Sequence, residues 1–111
     1  MNELRQGAVV WAWLDPAVGR EQTGRRPVVV VSSDEYVDVV TTLLVVVPVS
    51  RTDRRWPNHV SVTGVRELPD CFAMTEQPRT ISRGRLGDVI GHVDESCLVE
   101  IKQWLADFLG L

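Results

Sequence analysis

The chain has 111 residues and a mass of 12.5 kDa, a length that holds one domain, residues 1–111, and excludes two catalytic domains side by side. At this size about two thirds of the unfolded chain's surface can be buried, and 44% apolar with 24% charged residues is an ordinary globular balance, which excludes disorder and collagen. The formal charge of −3 and pI of about 5.3 argue on their face against a nucleic-acid binder.

The elements read in chain order as strands followed by one helix. Met1 to Arg5 lacks a signal peptide's apolar core. Ala8 to Leu14 mixes apolar and aromatic residues, Arg26 to Ser32 contains four consecutive valines, and Thr42 to Val49 is a second β-branched run, so each reads as a buried strand. That last run is the longest apolar stretch and falls well short of the ~18 residues that cross a bilayer; a soluble, cytoplasmic protein with no membrane contact is expected. Between the first two strands lies Asp15 to Gly24, ten residues punctuated by a proline and two glycines, long for a hairpin and typical of a functional loop. Further strands are predicted over His59 to Thr63, Cys71 to Glu76 and Asp88 to Val93, with turns at Trp56-Pro57-Asn58 and Leu68-Pro69-Asp70. Cys97, Leu98, Ile101, Trp104, Leu105, Phe108 and Leu109 then follow the three-four spacing of an amphipathic helix, with Asp94 placed to cap it. The fold class is mainly β with a C-terminal α-helix: a small, strongly curved antiparallel barrel-like sheet closed by that helix. So many apolar strands in a short chain also suit a dimer.

Several chemistries lose their usual markers. The sequence has no GxxxxGK[ST] loop, no GxGxxG, no HExxH and no GxSxG, which removes the common signatures of nucleotide binding, zinc proteolysis and serine hydrolysis. Cys71 and Cys97 lie far apart and outside any CxxC pair, so they read as small buried hydrophobes rather than zinc ligands or a disulfide. His59 and His92 fall inside strand-like segments beside apolar neighbours, where packed, hydrogen-bonded histidines are commoner than catalytic ones. Asp34, Glu35 and Asp38 are the nearest approach to a metal cluster and read as a solvated loop or turn face.

Arginine and hydroxyl chemistry remains. Eleven of the twelve basic residues are arginine, and residues 1–66 carry eight of them against seven acids, whereas residues 67–111 carry four basic groups against eight acids. Arginine suits bidentate phosphate contacts. Arg25 and Arg26 stand where the long loop re-enters the sheet, and Pro27 biases Arg26 towards an extended backbone. Ser50 and Thr52 end the third strand, followed by the charged turn Asp53-Arg54-Arg55. Guanidinium and hydroxyl groups of this kind can clamp a phosphodiester, or belong to two unrelated solvated loops.

Asp15-Pro16-Ala17-Val18-Gly19-Arg20-Glu21-Gln22-Thr23-Gly24-Arg25-Arg26-Pro27-Val28-Val29-Val30 resembles the D-P-x-x-G-x-E-Q-x-G-x-R-P-x-x-V pattern of MazF/PemK-type toxins, the endoribonucleases of toxin–antitoxin pairs. Val47-Pro48-Val49-Ser50, Trp56-Pro57-Asn58-His59-Val60 and Glu76-Gln77-Pro78-Arg79-Thr80 extend the resemblance, in order, over nearly the whole chain. It implies an SH3-like or CcdB/PemK-like barrel, a homodimer, and ribosome-independent cleavage of single-stranded RNA at a short sequence without a metal or other cofactor. The family's catalytic arginine and hydroxyl residue fall on Arg26 and Ser50, the latter more often threonine in the family. Glu21 is the candidate general base. Gln22, Arg25, Arg51, Arg54, Trp56, Gln77 and Arg79 are the candidate RNA-binding residues. The implied partner is a MazE-like antitoxin whose disordered tail folds across the toxin dimer. The alternative within this fold is a CcdB-like inhibitor that acts by protein contact with gyrase; those proteins end in a tryptophan-containing tail, whereas this chain ends Phe108-Leu109-Gly110-Leu111 with Trp104 on the helix.

Overall fold

The computed structural model describes residues 3–14 and 24–111. Its elements are β1 (Ala8–Trp13), β2 (Arg25–Val30), α1 (Asp34–Val39), β3 (Leu43–Ser50), β4 (His59–Ser61), β5 (Phe72–Met74), β6 (Arg79–Ser82), a 3-10 turn (Arg83–Arg85), β7 (Leu86–His92) and α2 (Glu95–Leu109). The strands form one antiparallel sheet in the order β4-β5-β3-β2-β1-β7, with β6 also paired to β3. The outer side of β3 is thus shared along its length: Leu43 to Val46 pair with β6, and Val49 and Ser50 pair with β5.

The valine runs are explained by burial on both faces of the central strands. Side chains alternate across a strand, so Val9, Val29, Val47 and Val49 enter one core while Val10, Val28, Val30 and Val46 enter the other. A strand solvated on one face alternates with polar residues; strands covered twice need not. The first core is closed by α2 through Cys97 and Ile101, one turn apart, with Leu98, Trp104 and Leu105 packed against it. The second is closed by α1 through Val37, together with Leu4, Leu86 and Val89. Each fully buried valine contributes roughly 1.5–3 kcal/mol relative to exposure.

Three sequence expectations are corrected. Asp34, Glu35 and Asp38 sit on the short helix α1 rather than on a loop; Ser33 caps it by accepting the Tyr36 amide at 3.1 Å, and the Arg83 guanidinium donates to the Val37 and Val40 carbonyls at its far end. Asp94 occupies the N-cap of α2, but its side chain makes no capping hydrogen bond; it lies instead against Gly64, where an added Cβ would stand 2.5 Å from its Oδ1. Phe108 and Leu109 continue the helical spacing yet are 51% and 70% exposed, because the core ends a turn earlier. The helix stops at Gly110, whose φ of 72° is left-handed and favours glycine.

Candidate functional site

The cleft that collects the arginine and hydroxyl groups opens at Pro27. Pro27 has no N–H to donate towards β3, and the β2/β3 pairing begins beside it, at Val28↔Pro48. Beyond that point the strands part: Arg25 to Pro27 stay with β1, opposite Trp13, Ala12 and Trp11, while Val49 and Ser50 turn to β5, opposite Ala73 and Phe72. Continued by two residues, the β2/β3 register sets Arg26 across from Ser50. The gap is a cleft of about 400 Å³ lined by Arg25, Arg26, Ser50, Arg51 and Thr52 on its polar side and by Trp11, Pro27, Val49, Leu68 and Cys71 on its apolar side.

Within it, Ser50 Oγ accepts the Thr52 amide at 3.1 Å, which fixes the hydroxyl at the strand end and directs its proton elsewhere. The Arg25 guanidinium lies 4.4 Å from the centroid of the Trp11 ring, within cation–π range. Arg25, Arg26, Arg51 and Thr52 are exposed, so the cleft offers cationic charge and a hydroxyl to solvent. Of the sequence candidates, Arg25, Arg26, Ser50 and Arg51 therefore meet in one place. Glu21 and Gln22 lie outside the described residues. Trp11 was not singled out by sequence; it is hidden in an apolar strand run, and only its pairing with Pro27 exposes its proximity to Arg25.

The remaining candidates stand apart from this cleft. Arg54 and Trp56 occupy the exposed segment after β3, with the guanidinium carbon 5.8 Å from the indole centroid. Trp56 in turn packs on His59, ring centroids 4.8 Å apart, so it is neither fully free nor buried, at 43% exposure. Gln77 and Arg79 line a separate hollow with Glu76 and Pro78; Arg79 Nη1 donates to the Leu14 carbonyl at 3.0 Å, at the base of the long loop.

Both histidines are hydrogen-bonded within the fold. His59 is buried, its Nε2 lying 2.9 Å from each carboxylate oxygen of Glu76. Asn58 Nδ2 donates to the same carboxylate at 2.8 Å, and Thr75 Oγ1 donates to the Asn58 carbonyl at 2.7 Å. His92 Nε2 is 2.7 Å from the Glu3 carbonyl. Cys71 and Cys97 are free and buried, and burial pushes the Cys97 thiol above its ordinary pKa. Among the described residues no helix is long and apolar enough to cross a membrane.

Comparison with known proteins places this geometry. Residues 5–109 match the family described as PemK-like, MazF-like toxin of type II toxin–antitoxin system. The chain is 32% identical to the endoribonuclease EndoA of Bacillus subtilis, covering 97% of this chain and 96% of that protein. It is 36% identical to the endoribonuclease MazF9 of Mycobacterium tuberculosis, covering 97% and 98%. A crystal structure of MazF from Deinococcus radiodurans superposes with a TM-score of 0.86 at 27% identity, covering 97% of both chains. A MazE–MazF crystal structure from the same organism gives a TM-score of 0.79 at 26% identity, covering 97% and 96%. The expected fold of antiparallel sheet and C-terminal helix, with the CcdB/PemK-like likeness, is thereby borne out, and the chain belongs to the PemK/MazF toxin family of type II toxin–antitoxin systems as one of its endoribonucleases.

Proposed function

We propose that this toxin cleaves single-stranded RNA at a short sequence, independently of the ribosome and of any metal, with Arg26 and Ser50 as its catalytic pair. One observation carries the reading: the two residues, 24 positions apart in sequence, line a single solvent-open cleft where β2 and β3 part. In the reaction the ribose 2′-hydroxyl attacks the adjacent phosphorus, a P–O2′ bond forms and the P–O5′ bond breaks. The products are a 2′,3′-cyclic phosphate and a 5′-hydroxyl. The substrate supplies its own nucleophile, so the protein's part is to position the linkage and stabilise developing charge. Arg26 holds the charge on the phosphoryl group and hydrogen-bonds the leaving 5′-oxygen, which takes its proton from solvent; Ser50 donates to a non-bridging oxygen, its Oγ being held by the Thr52 amide. A guanidinium is always protonated and so serves as electrostatic partner rather than base, a role assigned to Glu21.

Arg51, in the same cleft, binds the flanking backbone, and Arg25 contacts the adjoining nucleotide. Gln22, Arg54, Trp56, Gln77 and Arg79 contact RNA further along the strand, where unstacked bases are read by polar edges and aromatic faces. The toxin acts as a homodimer in the cytoplasm, bound when inactive by a MazE-like antitoxin. Exposed Phe108 and Leu109 at the end of α2, beside an apolar hollow lined by Val31, Tyr36, Val45 and Leu105, support burial against a second copy, and the MazE–MazF neighbour supports the antitoxin. The test is cleavage of a long single-stranded transcript in excess EDTA by the wild type and by Arg26→Ala and Ser50→Ala. Cleavage by the wild type alone, partly restored in Ser50→Thr, is the expected result; full activity in Arg26→Ala, or co-purification with gyrase and no cleavage, would overturn it.

A further inference from the structure

We infer that Arg25 and Trp11 together form a base-stacking subsite for the nucleotide next to the scissile phosphate. This deepens the RNA-cleavage reading and rests on it. Trp11 stands on β1 opposite Pro27 of β2, and its half-buried indole lines the cleft that holds Arg26 and Ser50. The guanidinium of Arg25, the residue immediately before Arg26, lies over that indole at 4.4 Å. Arg25 itself is exposed. A guanidinium resting on a ring is held flat, and a flat guanidinium is a surface on which nucleobases stack.

The composition of the cleft points the same way. A site that met only phosphate would need charge and hydrogen bonds; this one also sets the half-buried Trp11 and Pro27 beside the arginines and hydroxyls, over a buried floor of Val49, Leu68 and Cys71. Its volume of about 400 Å³ falls within the roughly 300–1,000 Å³ of sites that take a small organic ligand. A base and its phosphate belong to one nucleotide, and one cleft holds partners for both: the stacked cation for the base, Arg26 and Ser50 for the linkage. Arg25 touches the base, while Trp11 acts through Arg25 as a positioning residue.

The experiment uses an RNA oligonucleotide spanning the cleavage site, once that site is mapped on a long transcript, with an abasic ribonucleotide placed in turn on either side of the scissile phosphate. In the wild type, loss of the stacked base at one of these positions lowers kcat/KM roughly 5- to 150-fold. In Arg25→Ala and in Trp11→Ala the same abasic change costs less than about threefold, because the stack is already gone, and Trp11→Phe recovers the penalty. Arg25 is exposed, so its variant keeps the fold and answers the question even if Trp11→Ala unfolds. An abasic penalty of equal size in wild type and Arg25→Ala, or none at either flank in the wild type, would overturn the subsite and leave cleavage standing. A wild type that cleaves no RNA at all would overturn the cleavage reading itself.

Discussion

Replacing Glu76 with alanine removes one carboxylate that answers two buried or half-buried donors, and its cost can be worked out group by group. His59 Nε2 loses both contacts at 2.9 Å, and its side chain is only 1% exposed, so it is left without a partner at about 1–3 kcal/mol. Asn58 Nδ2 loses its 2.8 Å bond and keeps a longer one to Thr75 Oγ1 at 3.3 Å, a further loss of roughly 1 kcal/mol. The sum, about 2–4 kcal/mol, lowers Tm by roughly 8–16 °C in a domain of this size. Glu76→Gln retains one acceptor and is expected to lose only about a third as much. The readout is thermal unfolding followed by circular dichroism, with tryptophan emission recorded alongside, since Trp56 packs on the His59 ring. A Glu76→Ala protein that unfolds within about 2 °C of the wild type would refute the argument that this carboxylate anchors the segment after β3.

Other expectations follow from single positions. Ile101 is fully buried at the centre of α2's contact with the sheet, so Ile101→Ala should cost about 2–5 kcal/mol by denaturant unfolding. Gly64→Ala should be destabilising by more than about 2 kcal/mol, because φ is +90° and the new Cβ would stand 2.7 Å from the Asp94 backbone nitrogen; Gly24→Ala, at φ +78° with nothing within 4 Å, should cost only the backbone term of about 1–2 kcal/mol. Burial raises the Cys97 pKa, so the folded state holds that proton more tightly than the unfolded one, and stability falls as pH rises past the unfolded value of about 8.5. Cys97→Ala should therefore show a shallower decline of Tm at alkaline pH than the wild type.

How much of this was legible in the sequence depended on the range of the interaction. The β-branched runs marked β1, β2 and β3 because double-sided burial permits no polar alternation, and the spacing of Cys97, Leu98, Ile101, Trp104 and Leu105 marked α2. The helix α1 escaped notice although Ser33 is a good cap, since Tyr36, Val37 and Val39 favour strands and six residues are too few to show a period. Strand β6 was missed for a similar reason: Ile81 is its one buried residue, and only pairing with Leu43 to Val46 makes it a strand. Arg26 and Ser50 were each visible as residues at a strand end. Their meeting was not, because it arises from the β2/β3 ladder stopping beside Pro27, a property of two strands together; the family pattern supplied it instead. Trp11 shows the converse limit, an apolar residue whose role depends on what lies above its ring.

The central claim is that Arg26 and Ser50 hold an RNA linkage for attack by its own 2′-hydroxyl. It is tested most directly by determining the fragment ends from one oligonucleotide made in two forms, all-ribose and with a single 2′-deoxyribose at the cleaved nucleotide. The account predicts a 2′,3′-cyclic phosphate and a 5′-hydroxyl from the first and no cut at that position in the second. Fragments bearing a 5′-phosphate, or cleavage that survives the 2′-deoxy substitution, would contradict it.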